Sequence, residues 1–183
     1  MKLSQIFIIL FLILTACGSK TTLDKEDKKW LVYQPGDTLI FESEQGDFDT
    51  TFITEEKVFH VDYNPIELHG KYQPQIGQIW YFNRDTPNMN DGKELVYLEK
   101  KEPDQKADGF ISYLNETFFF DSDNFDKLDK EILIRDKGYA DIIQITSSRR
   151  ISTECQTIAK IWWSISNGIV QYETCEGIKW MKK

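Results

Sequence analysis

The sequence predicts a mainly β protein, a single antiparallel β-barrel or sandwich laid out as a meander of about ten strands with little helix. Three observations predict it. From residue 30 to the end, short β-branched and aromatic runs alternate with clusters of Gly, Pro, Asn and Asp, the punctuation of strands and turns. Within residues 168–173, Val170 and Tyr172 alternate with Gln171 and Glu173, a period of two with one buried and one wet face. No amphipathic stretch longer than two or three helical turns interrupts this pattern.

Length and composition agree with one folded domain. At 183 residues, 40% hydrophobic and 14% aromatic, the chain can bury a sizeable core and is far from the composition of a disordered protein.

The N-terminus reads as a targeting segment. Lys2 supplies a positive start, residues 6–14 form an unbroken apolar run, and small residues precede Cys17. The run is about half the roughly 20 residues that a membrane-spanning helix needs, so a cleaved signal is expected rather than a retained anchor helix. Leu14-Thr15-Ala16-Cys17 resembles the lipobox of bacterial lipoproteins. The resemblance implies cleavage after residue 16, acylation of Cys17 by fatty acid such as palmitate, and firm attachment to a membrane, because several acyl chains hold where one does not. Gly18 is not the aspartate that marks inner-membrane retention in lipoproteins, so the implied address is the outer membrane of the cell envelope. An ordinary secretory signal is the alternative.

Residues 17–29 are expected to form a flexible tether, since their charges offer little to bury, and residues 30–183 the β domain. Asp24, Glu26 and Asp27 are also a candidate surface-export signal. Processing removes only Lys2 among the charged residues, leaving 21 basic against 30 acidic side chains and a net charge of −9. A chain so acidic repels nucleic acid and anionic lipid.

The elements follow in order. Residues 30–33 are short and apolar and stop at Pro35-Gly36-Asp37. Strands are expected over 38–43, 49–54 and 57–63, with a breaker-rich loop over 64–77. Further strands are expected over 78–83, 94–100, 109–114 and 117–120. The last quarter yields 131–134, 139–147, 157–164, 168–174 and 177–181, with a hairpin turn at Ser166-Asn167-Gly168. That turn brings Cys175 opposite the region of Ile158, so Cys155 and Cys175 are a candidate disulfide in an exported protein; two separate thiols are the alternative.

The C-terminal run, Ile161-Trp162-Trp163-Ser164 with residues 167–172 and Gly177-Ile178-Lys179-Trp180, is similar to the final hairpins of small uncharacterised envelope lipoproteins of Bacteroidota-type bacteria, as is the opening over residues 33–41. The shared residues are turn and core positions, so the likeness implies a one-domain antiparallel lipoprotein and no catalytic assignment.

Candidates for chemistry are few. His60 with Asp62 on one strand face is a conceivable hydrolase pair, and His69 a second nitrogen for zinc, but metal-type spacing is absent. Residues 121–126 begin like a calcium loop, yet Asp126 and Ile132 stand where an EF-hand needs Gly and Glu. No nucleophile elbow, P-loop or dinucleotide fingerprint occurs. Asp37-Thr38-Leu39 and Asp49-Thr50-Thr51 resemble short O-glycosylation triplets. Trp80-Tyr81-Phe82, Phe118-Phe119-Phe120 and Trp162-Trp163 place rings on both faces of their strands, which suits either a fully covered sheet or an apolar cleft. The reading that follows is a lipid-anchored, non-enzymatic binding or interaction module without cofactor or bound metal. Its partner is a protein or hydrophobic small molecule, with a carrier of lipid in an apolar cavity as first alternative and a His60/Asp62 hydrolase as second.

Overall fold

The alternation of apolar and polar residues closes a sheet on itself. The structure, a computed structural model, describes residues 19–62, 72–84, 92–120, 132–134, 137–139, 141–146 and 157–183. In chain order the strands are β1 (Ser19–Lys20), β2 (Thr38–Ser43), β3 (Phe48–His60), β4 (Tyr72–Gln73), β5 (Gln75–Asn83), β6 (Lys93–Lys100) and β7 (Asp108–Tyr113). They continue as β8 (Glu116–Phe120), β9 (Ile132–Ile134), β10 (Lys137–Tyr139), β11 (Ile142–Thr146), β12 (Ile158–Ser164), β13 (Gly168–Thr174) and β14 (Lys179–Lys182). One 3-10 turn, Asp27–Trp30, precedes β2, and no α-helix occurs among the described residues.

Ten strands form one antiparallel sheet in the order β11-β12-β13-β14-β2-β3-β5-β6-β7-β8. The last strand, β14, pairs with β2 through Trp180↔Ser43, and the end strands β8 and β11 come into contact, so the sheet nearly closes into a barrel. Near-closure leaves little bare edge for another chain to pair with. Inward positions recur at every second residue: Leu39 and Phe41, Ile79 and Tyr81, Val96 and Leu98, Ile111 and Tyr113, Phe118 and Phe120, all buried. A smaller cluster of Tyr139, Ile142 and Val170, with Trp162 and Met181 against it, forms apart from that core.

Several expected boundaries are corrected. The 3-10 turn and the residues before it are not a loose tether from Ser19 on. Thr21, Leu23, Asp27 and Trp30 are buried, and Trp30 stacks on Phe120 at 3.9 Å and on Trp163 at 5.7 Å inside the barrel. Of the acidic residues Asp24, Glu26 and Asp27, the last is buried, and Lys100 Nζ pairs with Asp27 at 2.9 Å and with Asp24 at 3.1 Å. The strands expected over 49–54 and 57–63 are one, β3, which crosses the polar Glu55-Glu56 by bulging between Ile53 and Glu55. Strand β5 starts at Gln75, inside the expected loop. Gly77 lies within that strand because a Cβ there would meet Leu31 Cδ1 at 2.8 Å and Leu23 Cδ1 at 3.0 Å. The run expected over 139–147 divides into β10 and β11, with Asp141 at φ 55° between them.

The turn at Asn167-Gly168 is where it was expected. Gly168 has φ +69°, and Tyr33 fills the space a side chain would take, its hydroxyl accepting from Ile169 N–H at 2.6 Å. The doubled aromatics separate by face: Tyr81, Phe118, Phe120 and Trp163 go to the interior, while Phe119 is 61% exposed. Trp30, Trp163, Tyr81, Tyr113, Tyr172 and Phe41 are among the largest side chains buried in the interior.

Candidate functional site

Most residues singled out in the sequence are drawn into structural work or lie outside the described residues. Cys17, His69, Cys155 and the calcium-like stretch 121–126 lie outside them. His60 ends β3 half-buried, and its Nε2 lies 2.8 Å from the Thr21 carbonyl, so that nitrogen carries the proton and donates. Asp62 follows after the strand and is exposed. His60 therefore ties the N-terminal segment to the barrel. Among the described residues no cluster of three or more His, Cys, Asp or Glu could hold a metal. No helix is long and apolar enough to cross a membrane among those residues. In the second glycosylation-like triplet Thr50 and Thr51 are buried, so it is closed to modification.

Cys175 is described, while Cys155, its expected disulfide partner, lies outside the described residues. Its N–H donates to the Thr157 carbonyl at 3.2 Å and Thr174 pairs with Ile158, which sets Cys175 two residues along the chain from Cys155.

Inside the barrel lies a polar centre that periodicity did not announce. Asp49, Thr51 and Ile53 share the inward face of β3, so a carboxylate enters the core. Asp49 Oδ2 accepts from Tyr113 Oη at 2.8 Å and Tyr172 Oη at 2.9 Å, and Oδ1 accepts from Asn83 Nδ2 at 2.5 Å. Thr51 Oγ1 accepts a second bond from Asn83 at 2.8 Å and meets Tyr113 Oη at 3.0 Å. Burial, with the Asp49 charge behind it, pushes the Tyr113 hydroxyl well above its ordinary pKa, so it stays a donor. Saturated on both oxygens and shut from solvent, the carboxylate is a structural hub rather than a reactive one.

The outer wall differs. Register places Lys57, Gln78, Tyr97, Phe110 and Phe119 in one row across β3, β5, β6, β7 and β8. Tyr97 and Phe110 stack at 5.1 Å, and Phe119 meets Phe110 edge-on at 5.8 Å. Beside them opens a groove of about 430 Å³, floored by Gly109 and Phe120 and rimmed by Glu99, Lys101 and Asp108. Lys101 Nζ lies 3.7 Å from Glu99 and 3.4 Å from Asp108, so the rim charges largely answer one another. Desolvation, then Glu99 and Glu94, push the Tyr97 hydroxyl up to about 12. Next along β6, burial raises the Glu94 carboxyl against a lowering hydrogen bond with Gln78.

Chemically the groove offers ring edges and apolar surface with a balanced polar rim, suited to binding by contact. The sequence pointed to Phe119 through its triplet, but Tyr97 and Phe110 sit in separate strands and only cross-strand register unites them. In comparisons with known protein families, curated proteins and solved structures, nothing matches the chain.

Proposed function

We propose that the protein is a lipid-anchored, non-enzymatic binding module of the bacterial cell envelope, held at the outer membrane through an acylated Cys17, with the groove of Tyr97, Phe110 and Phe119 as its contact surface. The observation that carries this reading is Phe119, 61% exposed and continuous with stacked rings on a wall the core does not need. Exposed apolar patches of this kind mark contact sites. Two further features support it: the interior carboxylate is spent on fold, and His60 Nε2 is engaged with Thr21. On this reading a hydrophobic ligand uses the same outer groove.

The anchor is tested by growing cells on an alkyne-bearing fatty acid and mapping the N-terminus by mass spectrometry. The expected product begins at Cys17, carries acyl chains, and loses the label in Cys17→Ala; an unmodified chain retaining residues 1–16 would overturn the anchor. For the surface, Phe119→Ser is expected to abolish the envelope phenotype of a deletion-complemented strain while leaving the melting temperature in place. Full complementation by Phe119→Ser together with Phe110→Ser would remove the groove from the function.

A further inference from the structure

Resting on the anchored reading above, we infer that the end of the barrel where Thr21 meets β3, β5 and β6 lies against the lipid bilayer, with Phe59 and Phe119, outward rings near that end, seated among the headgroups. The argument begins at Thr21. Strand pairing aligns His60, Gln75 and Lys100 in one row at the end of β3, β5 and β6, and Thr21 bonds to all three. Its carbonyl accepts from His60 Nε2 at 2.8 Å, its hydroxyl accepts from Gln75 N–H at 3.1 Å, and the same hydroxyl donates to the Lys100 carbonyl. The chain is thus fixed to this end of the barrel from its first described residues. Only Gly18 stands between Ser19 and Cys17 in the sequence, and two residue steps cannot reach beyond about 7 Å. A lipid on Cys17 leaves no slack, and this end must sit on the membrane that holds the lipid.

That end presents exposed rings beside carboxylates. Phe59, 40% exposed, is one residue from the pinned row and shares the outer face with Ile76, Glu99 and Asp108. Phe119 stands on the same face in the next outward row, about 10 Å along the strands from the pinned one. The rim carboxylates Glu99 and Asp108 and a net charge of −9 for the chain from Cys17, 21 basic against 30 acidic side chains, rule out attraction by anionic headgroups, so the contact is made by ring burial and is insensitive to salt. Phe48 begins β3, twelve residues from His60 at the opposite end, with Lys183 Nζ 4.6 Å over its ring. It provides an internal reference.

The experiment uses the processed protein, acylated at Cys17 and carrying fluorophenylalanine, reconstituted in phosphatidylcholine vesicles that include a headgroup nitroxide lipid. Fluorine signals are assigned with Phe59→Leu, Phe119→Leu and Phe48→Leu, and acylation of Cys17 is checked by mass spectrometry on the same sample. Phe59 and Phe119 are expected to broaden severalfold more than Phe48, with no change when salt is raised. Equal, weak broadening of all three in a sample with acylated Cys17 would overturn the seating and leave the anchor intact. Protection of Phe119 by a co-purifying polypeptide, without nitroxide broadening, would also overturn it. Absence of acyl chains on Cys17 would instead bring down the anchored reading itself, and the seating with it.

Discussion

Lys100 Nζ lies 2.9 Å from Asp27 Oδ2 with both side chains almost wholly removed from solvent, a buried ion pair between the N-terminal segment and the barrel. Asp27 uses its other oxygen to accept from Ala107 N–H at 2.8 Å, so the carboxylate also fixes the loop between β6 and β7. Breaking such a pair from one side strands a charge in the interior. Lys100→Met or Asp27→Leu alone should therefore destabilise by about 3–5 kcal/mol, while the double replacement should recover much of the loss. Urea unfolding of the three variants checks this, and additive losses would show that the two residues act separately.

The same pair gives the alkaline limb of stability a sign. Burial works to lower the Lys100 pKa, but hydrogen bonds from Asp27 and Asp24 outweigh it and hold the amine above its ordinary value of 10.5. A raised group stabilises below the unfolded pKa and loses that contribution as pH climbs through the folded one. Burial also raises Tyr33, Tyr81 and Tyr113, which act in the same direction once unfolded tyrosine ionises. Unfolding free energy is expected to fall as pH rises above about 10, with Lys100→Met making the slope shallower by up to about 1.4 kcal/mol per pH unit. A slope identical in wild type and Lys100→Met would contradict this account.

Asp49 leads to a second thermodynamic test. Tyr113→Phe and Tyr172→Phe each remove one donor from a buried carboxylate, and each should cost about 1–3 kcal/mol. The two hydroxyls share Oδ2, so the double variant should depart from the sum of the singles. Asp49→Leu leaves Asn83, Tyr113 and Tyr172 without their shared acceptor and should cost more than either. Denaturant midpoints for the cycle decide it; strict additivity would mean that the hub is not a network.

Local rules reached most of the barrel because most of its pairing is between neighbours in the chain. β2, β6, β7, β8, β12 and β13 fall within a residue or so of their expected limits, and Asn167-Gly168 turns as its residues require. What failed was non-local. The stretch 19–29 looks solvated because its buried residues, Thr21, Leu23 and Asp27, are spread among exposed charges, and its anchor Lys100 lies some seventy positions away. A signal did exist: Lys100 has the inward parity of Val96 and Leu98, so a lysine aimed at the core required a buried acid somewhere. Asp49 gave a similar hint, in phase with Ile53. The groove was less legible still, since Tyr97, Phe110 and Phe119 become neighbours only through register.

Gly109 tests the groove floor. A Cβ there would stand 2.2 Å from the Tyr97 carbonyl oxygen and 2.9 Å from the Phe120 ring, and the first of these is backbone that cannot swing away. Gly109→Ala should cost at least about 1–3 kcal/mol by overpacking. Gly92→Ala is the contrast, because its nearest neighbours, at 3.5 and 3.6 Å, are at ordinary contact, and it should be neutral or slightly stabilising. Equal melting temperatures for the two variants would show that β6 and β7 can separate at Gly109.

A disulfide between Cys155 and Cys175 is the last prediction. Strands β12 and β13 bring Cys175 N–H to the Thr157 carbonyl, so the chain reaches Cys155 two residues beyond the paired position. If Cys17 is acylated its sulfur is already bonded to lipid, and Cys155 is the one remaining cysteine in the chain for Cys175 to join. Closing a loop of about 20 residues stabilises by roughly 3 kcal/mol when unstrained. Non-reducing peptide mapping of the envelope protein should recover the Cys155 and Cys175 peptides as one linked species, and Cys155→Ser should lower stability by an amount that reduction of the wild type reproduces. A linked species containing Cys17 instead would sink both this pairing and the acylation of Cys17, since one sulfur cannot serve both bonds.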